Sequence, residues 1–234
     1  MSPVTEETKE DETIVLVVTA FGPFLDVEEN PSNILLDELP SFLEPSSGAS
    51  WKFKVKDKIK ELCIVETSAE GSREALQGLA SKIAKNRDVE AHSKVLCLHL
   101  GVNVFGSGYE LEKCAYNDAS FRIPDQRNYQ PNNLPIRPEV PLGEPSHTRC
   151  PVPDLVEHLS HAFPAIESKV GTDPGRFVCN YLYYTSLNKL QDELPNSVNA
   201  CLFLHIPPFE KIPKDIQLEY LAELMRILTR VELS

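Results

Sequence analysis

Residues Thr13-Ile-Val-Leu-Val-Val-Thr19 form a continuous run of β-branched and aliphatic side chains near the start of the chain. A run without polar alternation is typical of a strand that is buried on both faces of a sheet. Two similar runs follow at Lys94–Leu100 and Ala200–Ile206, and Leu62–Thr67 is a fourth strand candidate. These runs predict a sheet in the interior of the molecule.

Helical patterns alternate with these strands. The first predicted helix opens at Asn30-Pro-Ser32 and runs to Leu39, with proline in its first turn, where a missing N–H costs nothing. The other predicted helices are Ser72–Lys85, Val152–Phe163, Gly175–Leu190 and Lys214–Val231. Strands that alternate with helices predict an α/β fold, in which helices cover both faces of a central, mostly parallel sheet.

The length and charge of the chain restrict its domain organisation and its partners. Its 234 residues suit one domain, which we expect over residues 13–234, after an acidic and disordered tail at residues 1–12. The net charge of -12 argues against nucleic acid or an anionic membrane as partner, because both require clustered Lys and Arg. No apolar run approaches the ~20 residues of a membrane span.

The cysteines indicate a reducing compartment. The chain has six of them and no C-x-x-C pair, which suits neither a disulfide framework nor a zinc ribbon. We therefore expect a cytoplasmic protein without a metal site.

The segment Gly101–Pro151 is rich in Gly, Pro and Asn and has no long predicted element. Such a segment inside a compact domain usually carries function or small hairpins. Sites in α/β folds form at the carboxyl ends of strands, and Leu100 and His205 mark two such ends.

Cys179 is the candidate nucleophile. It lies in Thr172-Asp-Pro-Gly-Arg-Phe-Val-Cys-Asn180, where Asp173 is predicted to cap a helix whose first residue is Pro174. This places Cys179 in the second turn, near the positive end of the helix, which favours thiolate. The alternative is a core cysteine that packs beside Leu182 and Tyr183.

His205 is the candidate base, because a polar side chain at the end of a buried strand can face a cleft. It could instead be a structural histidine, and His99 occupies a comparable position and competes for the same role. The other histidines fall in loops or on helix faces: His92, His147, His158 and His161. A cysteine and a histidine far apart in sequence can meet in space.

Glu112 and two phenylalanines complete the set of candidates. Glu112 could form a surface ion pair with Lys113 or Arg122, or it could orient an imidazole and complete a nucleophile–base–carboxylate triad. Phe21 and Phe24 flank a Gly-Pro turn, where they could pack the end of the sheet or enclose a small flat ring.

Together these segments resemble the pyroglutamyl-peptidase I family of cysteine peptidases, over about residues 14–228. The matching blocks occur in the family's order: Val17-Val-Thr-Ala-Phe-Gly-Pro-Phe24 with Asn30-Pro-Ser32, His99-Leu-Gly-Val102, Leu111-Glu-Lys-Cys-Ala-Tyr-Asn117 with Phe121-Arg-Ile-Pro-Asp125, Gly175-Arg-Phe-Val-Cys-Asn180, and Phe203-Leu-His-Ile-Pro207. One such block is a weak signal, whereas five in order are a strong one.

The resemblance implies a function and a role for each matching residue. Cys179 would be the nucleophile, His205 the general base and acid, and Glu112 the carboxylate that orients the imidazole. The pyrrolidone pocket would be formed by Phe21, Phe24, Ile123, Phe177 and Val178, with Arg122 close to the oxyanion site. The implied fold is a three-layer α/β/α sandwich with a central, mostly parallel twisted sheet. The implied substrates are small peptides with an N-terminal pyroglutamate. The resemblance implies no cofactor or metal, and it leaves open whether the protein forms a homo-oligomer.

The sequence departs from the family pattern at Ala20, Leu25-Asp26, Val102 and Pro174. The changes at Leu25 and Pro174 suggest one alternative, a cysteine amidase that acts on a different small cyclic or acyl group. Another alternative is a non-catalytic paralogue that binds pyroglutamyl ends, although a binding role alone would not require cysteine, histidine and glutamate together.

Overall fold

The computed structural model describes residues 13–24, 29–44, 50–85, 93–192 and 199–233. The expected tail at residues 1–12 lies outside them. The described strands are β1 (Thr13–Phe21), β2 (Ile59–Val65), β3 (Ser93–Val102), β4 (Tyr109–Glu112), β5 (Cys114–Tyr116), β6 (Pro145–His147), β7 (Ser168–Gly171) and β8 (Ala200–Ile206). The described helices are α1 (Pro31–Phe42), α2 (Ser50–Lys58), α3 (Ala69–Lys85), α4 (Val152–Ala162), α5 (Val178–Ser186) and α6 (Lys214–Leu228), and a π-helical turn at Leu187–Asp192 continues α5.

Six strands form the main sheet, in the order β2-β1-β3-β8-β4-β7. Within the described residues, every neighbouring pair is parallel except β4 and β8, which are antiparallel. The prediction of a mostly parallel sheet is confirmed. The remaining strands, β5 and β6, form a separate antiparallel pair beside it.

Helices cover both faces of the sheet, and the alternation of side chains along each strand divides the core in two. In β1, Leu16 and Val18 pack with α1, α4 and α6, whereas Val15 and Val17 face α3 and α5. The three-layer α/β/α architecture is therefore confirmed. The face that carries α3 and α5 is the one on which the candidate site lies.

Sequence patterns gave the long elements and missed the short ones. The prediction for β8 matches the structure, and α1 begins at Pro31 as expected, with Asn30 accepting a hydrogen bond from the Ser32 amide. Helix α2 and strands β4 and β7 were not predicted. The segment Gly101–Pro151 contains only short elements, as expected.

Candidate active site

His205 lies near the carboxyl end of β8, on the face of the sheet covered by α5. In the strand register it is opposite Gly101 of β3 on one side and Glu110 of β4 on the other. Its Nδ1 donates a hydrogen bond of 2.8 Å to Oε1 of Glu112, and both side chains are buried. This bond fixes the ring and leaves Nε2 as the nitrogen available for a second partner.

Cys179 lies closer to the start of its helix than the sequence predicted. Helix α5 begins at Val178 with Phe177 as N-cap, so the expectations of a helix from Gly175, a first residue at Pro174 and a cap at Asp173 are wrong. The Asp173 carboxylate instead accepts a hydrogen bond from the Gly175 amide in a local turn, and Gly175 has a φ of 80°. A left-handed residue cannot continue a right-handed helix, so the loop extends further and Cys179 falls in the first turn.

The Cys179 thiol and the His205 imidazole lie on one cavity and interact. Burial lowers the pKa of His205, but its hydrogen bonds and electrostatic interactions with Cys179 and Glu112 outweigh burial and raise this pKa to about 10. His205 therefore holds its proton at neutral pH. A protonated imidazole beside a sulfur atom favours thiolate over thiol.

Glu112 is a buried residue whose side chain and backbone both accept hydrogen bonds. It therefore does not form the surface ion pair with Lys113 or Arg122 that the sequence left open. Its side chain is 0% exposed. Its backbone carbonyl accepts a hydrogen bond of 2.8 Å from the Tyr183 hydroxyl. Within the described part of the chain, Oε2 of this carboxylate has no hydrogen-bond partner. Within the described residues, the hydrogen bond from His205 is therefore the one that this carboxylate accepts.

Two glycines that the sequence did not single out as site residues make room for the Glu112 and Cys179 side chains. A methyl group on Gly171 would lie 2.2 Å from Oε2 of Glu112. A methyl group on Gly101 would lie 3.2 Å from the Cys179 sulfur and 2.7 Å from the Phe203 ring. A glycine at the end of a buried strand is the sequence signal for such close approach.

Asn180 is a further positioning residue that sequence analysis missed. Its amide nitrogen donates to the carbonyls of Tyr116 and Asp118, and its amide oxygen accepts from the Tyr116 backbone N–H. These bonds tie the start of α5 to the segment that follows Glu112. Asn180, the residue next to Cys179, thus links the start of α5 to the chain segment that carries Glu112.

A cavity of about 400 Å³ opens at this end of the sheet. Cys179 and His205 line it, together with Arg122 and Phe177 from the predicted substrate-binding set. Its wall also includes Val102, Asn103, Val104, Phe105, Glu110, Ser120, Asp173, Pro174, Gly175 and Arg176. Two of the positions that depart from the family pattern, Val102 and Pro174, therefore border the same space as the thiol.

The other predicted pocket residues are not among the described residues that line this cavity. Phe24 packs against Phe177, which does line the cavity, with ring centroids 5.7 Å apart. Phe21 and Val178 are buried in the core on the α5 face. Because Ala20 pairs with Leu100, Phe21 is level with Gly101 and belongs to the same row across the sheet as His205. Ile123 is partly buried, and Leu25 and Asp26 lie outside the described residues.

His99 does not share the site with Cys179. It is fully buried between the hydroxyls of Thr19, at 2.8 Å from Nδ1, and Ser186, at 2.7 Å from Nε2. Burial lowers its pKa to about 3, so this ring is neutral. His92, another histidine of the sequence, lies outside the described residues, so its position relative to the site is not described.

The fold and this set of side chains define an α/β cysteine hydrolase. The family model for pyroglutamyl peptidase matches residues 72–223 of the chain. The chain therefore belongs to the pyroglutamyl peptidase family.

Individual relatives agree with this assignment. The chain is similar to a pyrrolidone-carboxylate peptidase of Streptococcus pyogenes serotype M1, with 28% identity over 194 residues, covering 82% of this chain and 77% of the relative. Pyrrolidone-carboxylate peptidase 1 of Caldanaerobacter subterraneus is 27% identical over 195 residues, covering 82% of this chain and 81% of the relative.

Solved structures show the same fold. Pyrrolidone carboxyl peptidase from Thermus thermophilus has a TM-score of 0.66 and 29% identity, covering 92% of this chain and 100% of that one. Pyroglutamyl peptidase I from Bacillus amyloliquefaciens has a TM-score of 0.66 at 22% identity, covering 93% of this chain and 95% of that one. No helix within the described residues is long and apolar enough to cross a membrane.

Proposed function

We propose that this chain is a cysteine omega-peptidase that hydrolyses the amide bond after an N-terminal pyroglutamate of small peptides. The observation that carries this proposal is the buried His205–Glu112 hydrogen bond of 2.8 Å beside Cys179, in a chain of this family. A histidine oriented by a carboxylate and adjacent to a thiol is the arrangement that activates a sulfur nucleophile.

In the first half of the reaction, the Cys179 thiolate attacks the pyroglutamyl carbonyl carbon and a tetrahedral oxyanion forms. His205 then donates its proton to the nitrogen of the scissile bond, the C–N bond breaks, and the shortened peptide leaves as an amine. A thioester between Cys179 and the pyroglutamyl group remains. In the second half, neutral His205 takes a proton from water, the hydroxide attacks the thioester, and the C–S bond breaks to release pyroglutamate and the thiolate.

The start of α5 supplies donors for the oxyanion. The first N–H groups of a helix have no partner within the helix, and no described side chain caps this one. The amides at Val178 and Cys179 are therefore candidate oxyanion donors, since preorganised N–H groups stabilise the developing charge. Arg122 lines the same cavity, with its guanidinium 6.0 Å from the Phe177 ring centroid, and we assign it to the substrate near this oxyanion.

The family resemblance assigns a group of apolar side chains, with Phe177 on the cavity wall, to the pyrrolidone ring. Phe24 contacts Phe177, and Phe21 and Val178 belong to the same core cluster as Phe177. Ile123 is assigned with them from the resemblance alone. An apolar surface suits pyroglutamate, because this residue has no charged α-amine. An ordinary N-terminus would bring an unpaired ammonium into apolar surroundings, at a cost of several kcal/mol.

We assign the activity to the cytoplasm. Cys179 forms no disulfide, and a thiol nucleophile is kept active in a reducing compartment.

Turnover of a fluorogenic pyroglutamyl amide by the purified protein tests this function, with the corresponding prolyl amide as the comparison. We expect cleavage of the pyroglutamyl amide, rejection of the prolyl amide by orders of magnitude, and inactivation by iodoacetamide. Cys179→Ala should abolish turnover without unfolding the protein, whereas Cys63→Ala, at another partly exposed cysteine, should not. Equal cleavage of the two amides, or more than a few per cent activity in Cys179→Ala, would overturn the proposal.

A further inference from the structure

Two adjacent apolar side chains are exposed at the mouth of the catalytic cavity. Val104 is 52% exposed and Phe105 is 86% exposed, and both line the cavity that contains Cys179 and His205. The mechanism above uses neither side chain. Apolar groups exposed together beside a polar catalytic centre are typical of a binding surface.

The turn that carries these side chains is fixed in place by hydrogen bonds. Within it, the Gly106 amide donates to the Asn103 carbonyl at 2.9 Å, and the Phe105 amide donates to the Asn103 side-chain oxygen at 3.1 Å. The backbone N–H of Asn103 donates to the backbone carbonyl of Ile206, the residue after His205, at 2.9 Å. The Asn103 side chain also donates to Glu110 at 3.1 Å. The apolar surface is therefore preformed and attached to the strand that carries the general acid.

The order of strands in the sheet gives the substrate a direction across the site. Phe21 ends β1 and Phe24 follows it, and both are assigned to the pyrrolidone ring. His205 and Glu110 lie on β8 and β4, on the other side of β3. The leaving nitrogen must lie next to His205, which protonates it. The residue after the scissile bond therefore extends toward the Asn103–Gly106 turn.

We propose that Val104 and Phe105 form the subsite for the first residue of the leaving peptide, and that this subsite favours a large apolar or aromatic side chain. This inference rests on the proposed function. The Glu110 carboxylate, which lies on the cavity wall and accepts a hydrogen bond from Asn103 of this turn, is already engaged by Lys169 at 3.1 Å. Selection at this subsite is therefore by apolar contact with the Phe105 ring, which is 86% exposed.

The test compares pyroglutamyl-phenylalanine amide with pyroglutamyl-alanine amide, two substrates with the same acyl group and different leaving residues. In the wild type we expect kcat/KM to be about tenfold higher for the phenylalanine substrate, as apolar pockets discriminate by such factors. Phe105→Ala should bring this ratio close to unity. Leu142→Ala, which removes an exposed apolar side chain outside the cavity lining, is the matched control and should leave the ratio unchanged.

A second measurement uses the reverse of the first reaction step, in which an amine enters the subsite instead of leaving it. The thioester formed from pyroglutamyl methyl ester can be attacked by an added amine, which forms a C–N bond, breaks the C–S bond and gives its proton to His205. Phenylalanine amide should capture the acyl group about tenfold faster than alanine amide, and this preference should also disappear in Phe105→Ala. The acyl group and the competing hydrolysis by water are the same with phenylalanine amide and with alanine amide. The difference in capture rate therefore reports only on the entering residue.

The outcomes separate the two proposals. Cleavage of both substrates with a ratio near unity in the wild type, or a ratio unchanged in Phe105→Ala, would overturn the subsite and leave the proposed function intact. Absence of turnover with every pyroglutamyl substrate would overturn the proposed function and the subsite with it.

Discussion

At the scale of single residues, two histidines on neighbouring strands differ in protonation state. His99 and His205 are both buried and lie on the same face of the sheet. Hydroxyl groups surround His99, so burial dominates and its ring is neutral. His205 has a carboxylate and a thiol as partners, so its ring holds a proton. The charge of the partners therefore decides the state of each ring.

Replacement of the two histidines should separate catalysis from packing. His205→Ala is expected to lower kcat by about 10³-fold or more, because nucleophile activation and protonation of the leaving amine are both lost. His99→Ala should lower kcat far less and act mainly on stability, since it removes a buried ring and two hydrogen bonds. Steady-state kinetics and thermal unfolding of both variants measure this difference. A larger loss of kcat in His99→Ala would reverse the assignment.

At the scale of elements, the site depends on how closely β4 and β7 approach each other. These parallel strands pair Glu112 with Gly171, and the carboxylate occupies the space where a side chain at position 171 would be. Helix α5 shows the same dependence on its neighbours, because its start is set by the Asp173–Gly175 turn and by the bonds of Asn180. The catalytic groups are aligned by contacts between elements that are distant in sequence.

Gly171→Ala should therefore damage catalysis although no catalytic residue is changed. The added methyl group would overlap Oε2 of Glu112 and displace the carboxylate from His205. A displacement of about 1 Å at a catalytic group can cost about 10²-fold in rate, so we expect a loss of that order in kcat. Gly78→Ala is the matched control, because beyond its chain neighbours and the backbone of its own helix, α3, no atom lies within 4 Å of the added methyl group. Activity in Gly171→Ala equal to that of Gly78→Ala would contradict this role.

At the scale of the whole molecule, the two histidines make stability depend on pH in opposite directions. The pKa of His99 falls from 6.5 in the unfolded chain to about 3 in the folded protein. The unfolded chain therefore binds more protons between these values, and stability is lost as pH falls from 6.5 toward 3. The pKa of His205 rises to about 10, so its contribution is fully present below pH 6.5 and is lost as pH rises through 10.

Substitution of His99 tests whether this residue causes the loss of stability at acid pH. In the wild type, His99 should add up to about 1.4 kcal/mol per pH unit to the slope of unfolding free energy between pH 3 and 6.5. His99→Gln should remove this part of the slope, whereas His161→Gln, at an exposed histidine of α4, should retain it. Denaturant unfolding at a series of pH values gives the slopes. Parallel pH dependence in the wild type and His99→Gln would show that His99 is not neutral in the folded protein.

The sequence by itself determined the elements whose pattern is local. The buried strands β1, β3 and β8 are continuous apolar runs, and the long helices have an apolar stripe, so both could be predicted without knowledge of their neighbours. Five motifs in order also gave the family, and with it the candidate residues Cys179, His205 and Glu112. Their catalytic roles stay predictions.

Only the tertiary structure decided the features that depend on contacts between distant segments. The short strands β4 and β7 have little pattern of their own and are defined by pairing with partners far along the chain. The register of β4 against β8 turns Glu112 toward His205, and the burial of His99 between two hydroxyls removes it from the site. These outcomes follow from non-local hydrogen bonds and packing, which no local spacing of residues encodes.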